Sequence, residues 1–298
     1  HQTYDLNVAA AQNNLGSLYF DKKEYTKAEK AFVEALIIYK QLAKFNFELY
    51  EPDIATTQNN LGYVYYHMGD YSKSVETTLE ALDVYKCLAK LDDYTYELNV
   101  AITQQKLGML YLKVKNYTYA ENCFFESFNI CEKWVSKSAL SYNDELIKTS
   151  KNLLICYISK LSDTLVLEKS KKDRFELVEK ILYEESKKDK EVREMLSSYY
   201  DIISWYLLFD LKFKEAEQAA KNGLLIEPTN IWIKTNLAHS FLFQGKYEDA
   251  LKVYLEIKPL KDAEGKSYAA ICLEDLNELE KKGIVNSNTY IIREILEK

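Results

Sequence analysis

Apolar positions fall three and four residues apart along most of this chain, in stretches separated by short polar breaks. In the first stretch they are Leu15, Leu18 and Tyr19; after Asp21-Lys22-Lys23-Glu24 they are Tyr25, Ala28, Phe32, Ala35, Leu36 and Tyr39. Such spacings put side chains on one face of a helix, so each side of the break predicts an amphipathic helix and the break a turn. The pattern then returns. Asn13-Asn14-Leu15-Gly16-Ser17-Leu18-Tyr19 is followed 46 residues later by Asn59-Asn60-Leu61-Gly62-Tyr63-Val64-Tyr65, and after another 46 by Gln105-Lys106-Leu107-Gly108-Met109-Leu110-Tyr111. Lys151-Asn152-Leu153-Leu154-Ile155-Cys156-Tyr157 keeps the step in decayed form. A fixed period of this size predicts a repeat architecture, in which each unit buries its apolar face against its neighbours.

Leu-Gly-x-x-Tyr followed by Ala28-x-x-x-Phe32 resembles the tetratricopeptide repeat. The reason for the pattern is steric: Gly16 and Ala28 are small where the two helices of a unit cross, while Tyr19 and Phe32 fill the space beside them. The third unit repeats this with Leu107, Gly108, Tyr111, Tyr117, Ala120 and Phe124, and the second substitutes Ser74 and Thr78 for the small-plus-aromatic pair. The step exceeds the family's usual length of about 34 residues by about twelve. The surplus is expected in a longer second helix and in connectors over 45–52 and 91–97. The long unit with its Asn-Asn-Leu-Gly opening is similar to the repeats of kinesin light chains.

Four long units, the fourth degenerate, are expected over 1–190. Within them Lys169-Ser170-Lys171-Lys172-Asp173-Arg174 reads as a solvated helix face or as a loop before a helix from about 175 to 185. Two units of the shorter step follow over 191–258: Phe213, Ala216, Ala220, Gly223 and Pro228 fit one, and Leu237, Ala238, Phe241, Gly245, Tyr247, Ala250 and Tyr254 the next. Thr229 or Asn230 is placed to cap the helix after Pro228. Residues 259–298 predict two closing helices, with Glu274, Asp275, Glu278, Glu280, Lys281 and Lys282 supplying the polar outer face that an array's end requires. This tail resembles the closing segment of some bacterial tetratricopeptide proteins, including ones attached to caspase-like peptidases. The resemblance implies an all-α, right-handed solenoid (a superhelix of antiparallel helix pairs) with a helical C-terminal cap.

Composition agrees. Only eight Gly and three Pro among 298 residues argue for long helices, and 25 Tyr supply rings that pack between helices and leave hydroxyls in a groove. A net charge of −7 argues against a nucleic-acid binder, which would show a basic face. No run has the length and apolarity of a membrane span or a signal peptide. Five cysteines, odd in number and set in apolar patterns, read as free thiols of a reducing compartment, so a cytoplasmic location is expected. Asn116-Tyr117-Thr118 matches a glycosylation sequon, which matters only in a secreted chain. The sequence opens on His1 rather than Met, so upstream residues are expected.

Catalytic motifs are wanting. Gly265-Lys266-Ser267 ends like a phosphate loop, but Leu260 stands where the first glycine is needed. There is no Gly-x-Ser-x-Gly elbow and no His-Glu-x-x-His helix, and the histidines are His1, His67 and His239. His67 either faces a ligand or is an ordinary helix-end residue. A non-enzyme with no cofactor and no metal is the expectation.

The family resemblance implies that the first helix of each pair lines a concave groove, with ligand contacts just before and after the Leu-Gly pair. Carried over by position, these are Asn13, Asn14 and Ser17; Asn59, Asn60 and Tyr63; Gln105 and Met109; and Asn152 with Ile155, while Phe20, Tyr66 and Leu112 should face inward one turn on. A carboxamide offers two donors and an acceptor, so a row of them can grip the N–H and C=O groups of an extended peptide. Alternatively these side chains satisfy neighbouring helices and stabilise the array. A basic carboxylate clamp would have only Lys106, Lys113 and Lys151 to draw on. The expected function is a non-catalytic scaffold that binds a protein segment or extended peptide, with no nucleic acid or membrane partner. The alternatives are a sensor of a short signalling peptide that controls a second partner, or an accessory module of a larger bacterial signalling or protease-linked protein.

Overall fold

A computed structural model describes residues 2–137, 142–164 and 172–298. Fourteen α-helices lie among them. The first eight are α1 (Gln2–Asp21), α2 (Tyr25–Leu42), α3 (Phe47–Met68), α4 (Tyr71–Leu88), α5 (Asp93–Lys113), α6 (Tyr117–Val135), α7 (Asn143–Thr164) and α8 (Lys172–Ser186). The remainder are α9 (Lys190–Phe209), α10 (Phe213–Ile226), α11 (Ile231–Phe243), α12 (Tyr247–Ile257), α13 (Tyr268–Lys281) and α14 (Thr289–Glu297). The one β pairing among the described residues is a bridge between Lys261 and Ser267. This is the expected all-α repeat fold. Packing divides the chain into two compact units, 1–156 and 157–298.

In the first unit each helix packs on the next, from α1 on α2 to α5 on α6. The pairs close at the predicted glycines. An ideal Cβ on Gly16 would lie 2.8 Å from the ring of Phe32, and one on Gly108 would come closer still to the ring of Phe124. Both rings are buried, and removing each from water contributes about 1.5–3 kcal/mol. At Gly62 hydrogen bonds replace the ring. The Ser74 hydroxyl donates to the Gly62 carbonyl at 2.6 Å, and Thr78 donates to the Ser74 carbonyl at 2.7 Å.

The turn within each pair reverses through one residue in the left-handed region: Lys23 (φ 61°), Gly69 (φ 82°) and Lys115 (φ 58°). Only the glycine adopts it without a Cβ penalty. The connectors between pairs are shorter than the sequence suggests. Asn46 and Asp92 cap α3 and α5 by accepting from Leu49 and Thr95, so the residues assigned to connectors over 45–52 and 91–97 mostly begin these first helices. Pro52 lies inside α3, in its second turn. There it forfeits one backbone bond near a terminus rather than breaking the helix interior.

The second unit keeps the device with shorter helices. A Cβ on Gly223 would lie 2.7 Å from Ile233 and 2.8 Å from Tyr200, and Ala216, Ala220, Ala238 and Ala250 are fully buried. Asn230, of the two candidates, caps α11 by accepting from the Ile233 amide. Leu242, Tyr254, Leu276, Ile292 and Leu296 pack together, fastening α13 and α14 to the array. The closing face differs from expectation at two positions. Glu274, Glu278, Lys281 and Lys282 are exposed, but Asp275 turns in toward buried His239 at 3.3 Å, and Glu280 pairs with Arg293 at 2.8 Å.

The Gly265-Lys266-Ser267 match is a tight turn. Asp262 accepts from the Glu264 and Lys266 amides and Ser267 caps α13, which leaves no phosphate cradle. Helix α8 covers the segment predicted from 175, whereas the start of the Lys169–Arg174 run lies outside the described residues. Among the described residues no helix is long and apolar enough to cross a membrane.

Candidate functional site

The first helices α3, α5 and α7 of three successive pairs expose a depression of about 350 Å³, with Ser74 and Thr78 of α4 beneath it. Six of the residues singled out by position line it: Asn59, Tyr63, Tyr66, Gln105, Met109 and Asn152. The helical period explains the set, because 59, 63 and 66, like 105 and 109, fall on one face. Phe20 packs its ring on Tyr63 at 5.0 Å and extends the apolar wall beyond the depression. Asn13, Asn14, Ser17, Asn60, Leu112 and Ile155 do not line it. Asn14 and Ser17 are exposed, and the Ser17 hydroxyl donates back to the Asn13 carbonyl of its own helix.

The equivalent carboxamides do form a series, and each reaches into the following pair. Asn13 Oδ1 accepts from Thr57 at 3.2 Å, Asn59 Nδ2 donates to Thr103 at 2.8 Å, and Gln105 Nε2 donates to the Glu145 carboxylate at 3.0 Å. These bonds join units. Asn59 and Gln105 are only 6% and 8% exposed, and Asn59 Oδ1 is left buried without a partner. A donor is what that oxygen lacks.

Lys106 supplies the opposite need. Its side chain lines the depression, burial pushes its ammonium below the usual lysine range, and it has no ion-pair partner among the described residues. Glu145 does not serve as one, since its carboxylate is engaged by Lys148 at 2.6 Å and by Gln105. Sequence reasoning named Lys106 only as a weak clamp candidate and missed Ile102, Glu145 and Lys148 on the same wall. The repeat step relates Lys148 to Ile102, but it carries Gln105 to Lys151, so counting from the carboxamides could not have found Glu145 or Lys148.

His67 sits at the exposed end of α3 among Phe20, Tyr25, Tyr63 and Tyr66, with ring centroids 4.8–5.3 Å away. It closes the aromatic wall and does not line the depression. Among the described residues no group of three or more His, Cys, Asp or Glu is placed to hold a metal ion.

Residues 7–86 match the family profile described as tetratricopeptide repeat. Those residues form α1 to α4, so the first two helix pairs carry tetratricopeptide repeats, and the later pairs repeat their glycine crossings. None of the curated proteins matches the sequence. Among solved structures, BtubC (BKLC) from P. vanneervenii is 17% identical, covering 75% of this chain and 81% of that one, with a TM-score of 0.48. The apo form of RapI is 16% identical over 93% of this chain and 85% of that one, with a TM-score of 0.44. Aspartyl phosphate phosphatase F from Bacillus subtilis is 14% identical over 100% of this chain and 72% of that one, with a TM-score of 0.45. All three scores lie below 0.5, and the functional reading rests on this chain's own residues.

Proposed function

We propose that the chain is a non-catalytic binding protein whose first helices α3, α5 and α7 receive an extended peptide or protein segment. One observation carries this reading. In a single depression a buried acceptor, Asn59 Oδ1, and a desolvated cation, Lys106, both stand without partners. Leaving the buried oxygen unpaired costs about 1–3 kcal/mol, and Lys106 is held partly out of water beside it. A peptide supplies both missing partners, an N–H for the oxygen and a carbonyl or carboxylate for the ammonium. Tyr63, Tyr66 and Met109 would select an apolar side chain beside them. In this reading 1–190 forms four long units, 191–258 two shorter ones and 259–298 the cap. Five free cysteines support a reducing, cytoplasmic setting.

The test is a peptide array probed with the full chain, followed by titration of the best binders. Lys106→Met should weaken them about tenfold or more, the value of a charge-assisted hydrogen bond. Lys113→Met, which changes an exposed lysine of the same helix, should leave them unchanged. An array without binders, or equal affinity for parent and Lys106→Met, would remove the ligand from this wall.

A further inference from the structure

A second depression of the first unit, about 520 Å³, is formed by α2, α3 and α4 and shares no residue with the first. Its polar groups are unevenly matched. Gln58 is 3% exposed; its Nε2 donates to Glu80, and its Oε1 is buried with no partner. Glu51 is 7% exposed and has neither a hydrogen-bond nor an ion-pair partner among the described residues. Burial first, and then the neighbouring charge of Glu48, pushes its carboxyl above the usual range. Asp83 adds a further carboxylate to the same wall. The buried unmatched groups here are all acceptors.

The internal repeat shows what such a wall holds elsewhere. One unit on, the equivalent of Glu51 is Glu97, and it is occupied. Lys133 Nζ donates to its two carboxylate oxygens at 2.9 and 2.7 Å, and the Trp134 indole N–H donates to one of them. Stepping back by the period, Lys133 becomes Cys87 and Trp134 becomes Leu88. The carboxylate has been kept and its cation lost. Lys40 and Lys44 stand on the α2 side of the depression, but both are exposed and neither forms an ion pair among the described residues.

We propose that this depression binds an alkylammonium group, with Glu51 taking the charge and Gln58 Oε1 accepting a second N–H. The group sits where Lys133 sits one unit later. Its source is the lysine side chain of a partner protein or a free alkylamine. The full chain is titrated by NMR with Nα-acetyl-lysine methylamide for the first source and with cadaverine for the second. Saturable binding of either supports the site, and the tighter of the two assigns the source. Glu51→Gln should weaken binding about tenfold or more, since it removes the charge-assisted bond. Cys87→Lys should supply the tethered amine, abolish binding and keep or raise the melting temperature. Because Cys87 is exposed, that variant carries the test even where Glu51→Gln fails to fold. No saturable binding of either amine, or a Cys87→Lys chain that binds like the parent, overturns the proposal.

Discussion

Replacing Gly108 by alanine sets two effects of opposite sign against each other. In an open helix the change would gain about 1 kcal/mol, because alanine is the better helix former. Here the added methyl points into Phe124, and three ring atoms lie within 2.8 Å of its ideal position. Phe124 is fully buried, so the ring has no room to swing away. Overpacking of this kind costs about 1–3 kcal/mol, and contact this close belongs in the upper part of that range. The expected net is a loss of about 1–2 kcal/mol. A bulkier Gly108→Leu should lose more. Urea unfolding followed by circular dichroism reads the difference, fitted to the transition that contains this repeat because arrays need not unfold in one step. A Phe124→Leu background isolates the cause. Without the ring, Gly108→Ala should be neutral or gain up to about 1 kcal/mol, a coupling on the order of 1.5 kcal/mol or more. If Gly108→Ala stabilised the parent by the full helix-propensity gain, the methyl would have room and the close crossing would be refuted.

Two further outcomes follow from buried polar groups. Asn59→Ala with Gln105→Ala should lower the urea midpoint as well as peptide affinity, by about 0.5–1.5 kcal/mol for each bond to the next pair; an unchanged midpoint would make those bonds incidental. In the second unit, burial first and then Asp275 push the Asp201 carboxyl up to about 6, against the bond from Asn236 that lowers it. The folded state therefore holds this proton more tightly than the unfolded chain, and stability should fall as pH rises from about 4 through about 6. Asp201→Asn should flatten that limb and gain on the order of 2 kcal/mol at neutral pH, read from urea midpoints across the range. Glu217 has the opposite sign and overlaps only the acid end of that limb. Burial raises its carboxyl, but bonds from Lys221, Lys246 and Gln244 outweigh that and bring it to about 2, so its contribution is full above about pH 5 and fades as pH falls from about 4.5 toward about 2.

The fold was legible because its constraints are local and periodic. Gly16 and Gly108 announce close crossings, and Phe32 and Phe124 recur sixteen residues after them to fill the gap. Less legible were features in which a residue departs from its usual preference. Lys23, Lys115 and Leu211 take left-handed turn positions that Gly69 and Gly245 also fill, and nothing in a lysine or leucine signals it. Three carboxamide–carboxylate pairs, Gln12–Glu34, Gln58–Glu80 and Gln104–Glu126, recur at the repeat step within the helix pairs. They looked like ordinary polar faces because their partners lie on different helices. Asp275 read as surface charge for the same reason, since only the fold brings His239 beneath it.

For the candidate site, position alone found six lining residues but did not separate their atoms. The choice between gripping a ligand and holding the scaffold treats each carboxamide as one object, whereas Asn59 has two ends. Its Nδ2 donates to Thr103 and ties α3 to α5, while its Oδ1 remains unpartnered beside the depression. The bond to Thr103 fixes the amide plane, and with it the direction in which the free oxygen points. Under the proposed function, scaffold and ligand contact are two uses of one oriented group. A ligand N–H on Oδ1 would also polarise the amide and strengthen its bond to Thr103. Binding should therefore tighten the α3–α5 contact, and a saturating peptide should raise the unfolding midpoint of residues 1–156 by the ordinary linkage of ligand to native state. Thr103→Val tests the orientation. It preserves the shape of the residue but frees the Asn59 amide to turn, so affinity should fall although Thr103 itself does not line the depression. Unchanged affinity in that variant would mean that Asn59 needs no second partner to hold its oxygen in place.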